Sequence, residues 1–370
     1  MNNLTTENVE EIKKGYITGF YDAEGSISIT KDYTLSVLIN QTYKPVLERI
    51  DKEFKTVSGI KIHSKEGYDK RGIHHKNAWM WRQFADDAIP FLKYIYTYSI
   101  EKRLQIELGI KYQESIKLTY ARSKGMSQSE VEKREWFKNK IEELKHITPT
   151  EQELKSYNNE IKKLSISKDV RDGKQKVIFG TVDDLYKNLG INTTEQETIN
   201  KQLIPKMSNY IEIGYLAGFY DGEGYVGISK GKRDSYSLSV EIANTNFDML
   251  KIYETKFGGK IRLIKKEEEH YKEKYHWDIT NHNALPFLKY IQPFTIVKRQ
   301  QIDLAIEFQE WHNQVKIIKT PEQKKKAEWY YNTLKDMKQE TGEEISNNKY
   351  DENTNETESN PLDKYMNILQ

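Results

Sequence analysis

Cysteine is absent from the 370 residues, which excludes disulfides and thiolate metal ligands and leaves only oxygen and nitrogen donors for any metal. Long apolar runs are absent as well. No stretch approaches the roughly 20 residues of a membrane-spanning helix, and the opening Met1-Asn2-Asn3-Leu4 starts no signal peptide. A soluble intracellular protein is expected, in the cytoplasm, the nucleoid or an organellar matrix. An excess of one charge is also missing, because 58 Lys and Arg oppose 56 Asp and Glu for a net +2. The distribution is uneven, however. Residues 340–363 hold eight acids (Glu340, Glu343, Glu344, Asp351, Glu352, Glu356, Glu358, Asp363) against Lys349, which leaves +9 on the rest of the chain. That excess permits phosphate binding without establishing it. The Asn-rich acidic segment reads most simply as a solvated, disordered terminus, with a DNA mimic that competes for the basic surface as the alternative.

What the chain does have is an internal repeat. Ile17-Thr18-Gly19-Phe20-Tyr21-Asp22-Ala23-Glu24-Gly25 returns as Leu216-Ala217-Gly218-Phe219-Tyr220-Asp221-Gly222-Glu223-Gly224. Pro90-Phe91-Leu92-Lys93-Tyr94-Ile95 returns unchanged from Pro286 to Ile291, Glu101-Lys102-Arg103 matches Val297-Lys298-Arg299, and Glu135-Trp136-Phe137 matches Glu328-Trp329-Tyr330. Markers in one order at a nearly constant offset mean two copies of one domain, with a period far beyond the roughly 20–50 residues of solenoid repeats. The expected division is a first domain with trailing helices over 1–147, a linker or insertion over 148–207, a second domain over 208–339 and the acidic tail over 340–370. Within the linker, Val182 to Gly190 reads as plain linker or the start of a short helical hairpin.

Each copy reads as α-β-β-α-β-β-α. An amphipathic helix (Val9–Asp22, Ile211–Asp221) ends at Gly25 or Gly224, where a glycine in the left-handed conformation is expected to stop it. Strands follow at Ser26–Lys31 with Leu35–Gln41, and at Tyr225–Lys230 with Tyr236–Asn244. A helix is expected over Pro45–Phe54 and Phe247–Phe257, then strands over Ile60–Lys65, Ala78–Gln83, Lys260–Lys266 and Tyr275–Thr280, then helices after Pro90 and Pro286. This is an α+β order, with helices on one face of an antiparallel sheet and the other face open. Lys61, His63 and Lys65 alternate with apolar or small residues, as do Lys260 and Arg262, so that they share a side of their strands. Lys31, Arg71, Lys230, Lys232 and Arg233 add positive charge near turns. Matching placement in both copies favours a nucleic-acid platform over ordinary solvated lysines. Trp136 and Trp329 read as packing residues.

Gly15 and Gly19 are four apart, as are Gly214 and Gly218, with Ala23 and Gly222 continuing each series. Such spacing lines one helix face with minimal side chains, at about 1 kcal/mol per glycine relative to alanine, which suggests close approach of another helix. If the two motif helices pack together, Glu24 and Glu223 meet at their C-terminal ends. Close carboxylates beside the negative end of a helix call for a cation, and oxygen-only ligation suits Mg²⁺.

These residues resemble the LAGLIDADG homing endonucleases in their single-chain, two-motif form, over roughly residues 9–110 and 208–310. The resemblance implies two pseudo-symmetric αββαββα domains whose antiparallel sheets form a DNA-binding saddle. It also implies metal-dependent hydrolysis of both strands of a long, asymmetric double-stranded target by a monomer. Glu24 and Glu223 then match the metal ligands, and Lys102 and Lys298 match the basic residue that stabilises developing charge. Asn40 or Gln41 in the first copy, and Asn244 in the second, match the polar residue that positions water, although Ala243 takes that place in another register. Glutamate replaces the aspartate of many relatives, and Thr18 replaces the motif alanine. Asp22 and Asp221 read as structural. An intron maturase that would bind intron RNA, and a DNA-binding regulator without cleavage, use the same fold and stand as alternatives.

Overall fold

A computed structural model describes residues 4–57, 59–68, 74–117, 126–146, 205–232, 235–264, 273–315, 318 and 320–338. Arg71, Arg233, the segment from Val182 to Gly190 and the acidic tail lie outside the described residues, as does nearly all of the linker. The first copy contains α1 (Thr6–Glu24), β1 (Gly25–Ile29), β2 (Leu35–Gln41), α2 (Lys44–Glu53), β3 (Lys61–Ser64), a short β4–β5 ribbon (Gly67–Tyr68, His74–His75), β6 (Ala78–Phe84), α3 (Ala88–Tyr96), α4 (Arg103–Lys117) and α5 (Gln128–His146). The second contains α6 (Asn209–Glu223), β7 (Gly224–Lys230), β8 (Tyr236–Asn244), α7 (Phe247–Phe257), β9 (Lys260–Ile264), β10 (Lys274–Thr280), α8 (Leu285–Ile291), α9 (Arg299–Val315) and α10 (Pro321–Asp336). The ribbon was not anticipated from sequence.

Each copy builds a four-stranded antiparallel sheet flanked by helices, in the orders β1-β2-β6-β3 and β7-β8-β10-β9. Hydrophobic periodicity decides which residues each element buries. Along β8, Tyr236, Leu238, Val240 and Ile242 are buried while Ser237, Ser239, Glu241 and Ala243 are half-exposed, the signature of a sheet covered on one side. By packing, the chain divides into two compact units, residues 1–25, 39–81 and 207–370 in one and 26–38 and 82–206 in the other.

In the larger unit the second sheet packs on α7 and α8. Trp277, Tyr253 and Phe287 are fully buried, with Trp277 and Phe287 rings edge-on at 5.4 Å, and Trp277 Nε1 donates to the carbonyl of Gly258 at 2.8 Å. In the smaller unit, Ile27, Leu35, Phe91, Ile106 and Phe137 are buried, and a Cβ at Gly109 of α4 would lie 2.5 Å from Ile27 Cδ1. The trailing helices dock on their hairpins in the same way in both copies. Tyr33 donates to Glu135 at 2.7 Å, and Tyr236 and Lys230 donate to Glu328. Trp136 and Trp329 are half-buried on these helices, edge-on to Phe137 and Tyr330.

One expectation is corrected, in both copies. Gly25 and Gly224 are not left-handed, since both are extended (φ −74°) and start a strand directly from the helix. Glycine is needed because a Cβ would lie 2.2 or 2.3 Å from Cδ2 of Tyr21 or Tyr220. Positive φ occurs instead at other places, among them Ala85 (φ 47°) and Asn281 (φ 52°), at equivalent positions after β6 and β10. Asn281 Oδ1 accepts from Ser237 Oγ and from the Leu238 amide. Asn281→Ala is expected to cost about 2 kcal/mol, two hydrogen bonds plus poorer tolerance of positive φ, seen as a lower urea midpoint at unchanged slope.

Candidate active site

The glycine spacing places α1 against α6 at backbone contact. A Cβ at Gly15 would lie 2.1 Å from the Ile211 oxygen, and at Gly19 2.1 Å from that of Tyr215. Reciprocally, a Cβ at Gly214 or Gly218 would lie 2.1 Å from the oxygen of Ile12 or Tyr16. The contact continues to the C-terminal ends, where a Cβ at Gly222 would meet Ala23 Cβ at 2.3 Å and Glu24 Cγ at 3.0 Å. The helix ends therefore have room for the methyl of Ala23 and no second one.

Two residues that sequence reasoning missed lock this pair. Tyr16 Oη donates to Asp221 Oδ2 at 2.7 Å, and Tyr215 Oη donates to Asp22 Oδ2 at 2.6 Å, all four residues being buried. The recurrence of Gly-Tyr at Gly15-Tyr16 and Gly214-Tyr215 was the available signal. Asp221 also accepts from the amides of Ile296, Val297 and Lys298 at 2.6, 3.0 and 2.9 Å, and so caps the entry to α9. Burial raises its carboxyl above the ordinary value, against the opposing field of Lys298 and these hydrogen bonds.

Capping the start of α9 aims Lys298. Its ammonium donates to the carbonyl of Asp221 and to that of Gly222 at 3.3 Å, on the last turn of α6 where the helix end is negative. Withdrawal from water holds it below its ordinary value, while Asp221, Glu24 and Glu223 all pull the other way. Both motif glutamates thus act on one ammonium. Glu24 is half-buried and Glu223 exposed. Lys102, half-buried, stands at the equivalent place before α4 in the smaller unit, its carbonyl accepting from the Ile106 amide at 2.9 Å.

Gln41 Nε2 donates to Glu24 Oε1 at 3.3 Å. Asn40, the neighbour on the strand and so on the opposite side, has its Oδ1 buried without a hydrogen-bond partner. Gln41 and Asn244 each stand two residues before the cap of the next helix, Tyr43 and Asn246. This pairs Asn244 with Gln41, and Ala243 with Asn40. Asn244 Oδ1 accepts from the Asn246 amide at 2.7 Å.

Among the described residues no group of three or more His, Asp or Glu side chains could hold a metal. Glu24 and Glu223 would offer two carboxylates, a chemistry that fits Mg²⁺, an ion that keeps several waters and takes one or two carboxylates plus substrate oxygens. That chemistry does not suit a closed zinc site.

Strand register sorts the basic residues. Lys260 and Arg262 pair with Asp278 and His276, which pair with Glu241 and Ala243, so both lie on the half-exposed side of β8, the open side. Arg262 bridges to Asp278 at 3.1 Å and His276 to Glu241 at 3.0 Å. Lys230 is ion-paired with Glu328, while Lys31 and Lys232 are exposed at turns. Lys61, His63 and Lys65 are exposed, but the expected unbroken alternation fails. The register of β3 shifts between Ile62 and Ser64, and Lys65 falls beyond the strand. As edge strands, β3 and β9 also expose apolar residues, Ile62 at 49% and Leu263 at 58%.

No protein-family profile matches the sequence, and no curated protein matches it. Solved structures do. The chain is similar to LAGLIDADG homing endonuclease I-GzeII in complex with its DNA target, at 16% identity and TM-score 0.54, with 86% of this chain and 97% of that one covered. It is similar to I-SmaMI bound to uncleaved DNA in the presence of calcium ions, at 15% identity and TM-score 0.55, with 87% and 98% covered. It is also similar to meganuclease I-AabMI bound to uncleaved DNA, at 19% identity and TM-score 0.50, with 86% and 98% covered. With two sheets of one strand order, joined in sequence to paired motif helices, the fold of this chain is that of the LAGLIDADG homing endonucleases in their single-chain, two-copy form.

Proposed function

We propose that this protein is a site-specific endonuclease that hydrolyses both strands of a long, asymmetric double-stranded DNA target. The observation that carries the reading is that Glu24 and Glu223 end two helices in backbone contact, with the Lys298 ammonium donating to the Asp221 and Gly222 carbonyls just before Glu223. A binding protein has no need for two carboxylates there, since they repel the phosphates that it must approach.

In this reading Glu24 and Glu223 hold Mg²⁺, which supplies activation of water and stabilisation of the oxygens entering and leaving phosphorus. Lys298 and Lys102 lend positive charge to the phosphate as negative charge develops. Gln41 and Asn244 orient water by hydrogen bonding. Lys260 and Arg262, with Lys31, Lys61, His63, Lys65, Lys230 and Lys232, contact DNA, in part after exchanging an acidic partner for phosphate or base. Unlike halves in one chain free a monomer from palindromic targets.

The test is selection from a randomised duplex pool with Mg²⁺, followed by cleavage of a plasmid carrying the selected site. A unique double-strand break is expected, and binding without any break would overturn the reading. Lys298→Met should lower the single-turnover rate about 10²-fold or more with target affinity changed less than about threefold. Equal losses in rate and affinity would make Lys298 a phosphate-binding residue instead.

A further inference from the structure

We infer that Tyr16, on the motif helix of the first copy, is a positioning residue for Lys298 in the second copy and acts through the buried Asp221 carboxylate. The kinetic consequence rests on the endonuclease reading above, while the link itself rests on hydrogen-bond geometry alone. Four donors meet on this carboxylate. Oδ2 accepts from Tyr16 Oη at 2.7 Å and from the amides of Ile296 and Val297 at 2.6 and 3.0 Å, and Oδ1 accepts from the Lys298 amide at 2.9 Å. Three of these donors belong to the segment that carries Lys298, and the fourth reaches over from α1.

Asp221 grips Lys298 at two points. Its carboxylate takes the backbone amide and its own carbonyl takes the ammonium, so a turn of the carboxylate shifts the root of the lysine relative to its tip. The Lys298 carbonyl accepts from the Ile302 amide at 2.9 Å, which ties the same residue to the first turn of α9. Tyr16 anchors Oδ2 to a rigid partner, because α1 stands in backbone contact with α6 and the buried Tyr16 ring stacks on Phe20 at 5.9 Å. Burial and the charge of Asp221 hold the phenol far above its ordinary value, so it stays a donor. Glu223 ends α6 two residues after Asp221. The bond from Tyr16 therefore sets Lys298 against the helix end that carries Glu223, and small misplacements of a catalytic group are costly, about 10²-fold in rate for about 1 Å.

Tyr16→Phe in the full chain removes Oη and keeps the ring, and two measurements test it. Amide hydrogen exchange at Ile296, Val297 and Lys298 is expected to quicken about tenfold, while exchange along β8 in the same unit changes less than about twofold. In single-turnover cleavage of the plasmid carrying the selected site, the rate on the strand that Lys298 serves should fall about tenfold, so that nicked circle accumulates, with affinity changed less than about twofold. Adding Tyr16→Phe to Lys298→Met should cost less than about twofold further, because the tyrosine acts through that lysine. A full further loss in the double variant, or equal slowing on both strands, would overturn the positioning role. Unchanged exchange over residues 296–298, or exchange quickened equally along β8, would overturn it whether or not the protein cuts DNA. Exchange quickened only at residues 296–298, in a chain that cuts no selected target, would uphold the link and overturn the endonuclease reading.

Discussion

Glu24→Gln and Glu223→Gln, made separately, are each expected to abolish double-strand cleavage, lowering the rate about 10³-fold or more while target binding persists. Glutamine keeps the shape and hydrogen-bonding capacity of the side chain and removes the negative charge that holds a divalent cation. Because each carboxylate comes from a different copy, neither can cover for the other. Glu24 is held by Gln41 at the end of α1, and Glu223 ends α6. Binding should tighten slightly, since one negative charge beside the phosphates is removed. The measurement is linearisation of a plasmid carrying the target with Mg²⁺, beside fluorescence anisotropy of the same duplex. Linearisation at the unmutated rate by either variant would rule out the assignment of that glutamate to the metal.

Gly19→Ala and Gly218→Ala are expected to be the most damaging single-methyl changes in the chain. Either Cβ would sit 2.1 Å from a carbonyl oxygen of the opposite helix, more than 1 Å inside an ordinary contact. The atom met is backbone, so no rotamer change relieves it. The helices must separate, which breaks the packing of Tyr16, Phe20, Tyr215 and Phe219, all buried at this contact, and strains the bonds from Tyr16 to Asp221 and from Tyr215 to Asp22. A loss of about 3–5 kcal/mol is expected, of the size that overpacking a rigid core produces. Gly67→Ala is the control, because a Cβ there meets nothing within 4 Å. Equal melting temperatures for Gly19→Ala and Gly67→Ala would refute the account of the helix pair.

These residues also mark how far the chain could be read without coordinates. The repeat was legible because duplication presents the same signal twice, and with it came the order of elements along the chain and the bounds of β2, β8 and α7. The glycine series was legible because helical geometry puts every fourth residue on one face. The purpose of Gly25 and Gly224 was misjudged. The ring each must avoid is that of Tyr21 or Tyr220, close by in sequence but visible only once the backbone passes from helix into strand without a turn. The choice between Asn40 and Gln41 was open in sequence because adjacent strand residues differ only in side, and the register alone settles which one meets Glu24.

Local chemistry and periodicity therefore dictated the elements, the doubled motif and the candidate carboxylates, since helix and strand patterns are set by neighbours a few residues apart. The assignment of partners required the folded chain. Tyr16 reaching Asp221, Lys298 closing the end of α6, Lys230 held by Glu328 and Lys338 lying on Tyr225 join residues 98 to 205 positions apart in three of these cases and in every case residues on different elements. A contact of that kind depends on how elements pack in space, and that packing is a property of the whole fold rather than of any stretch of sequence within it.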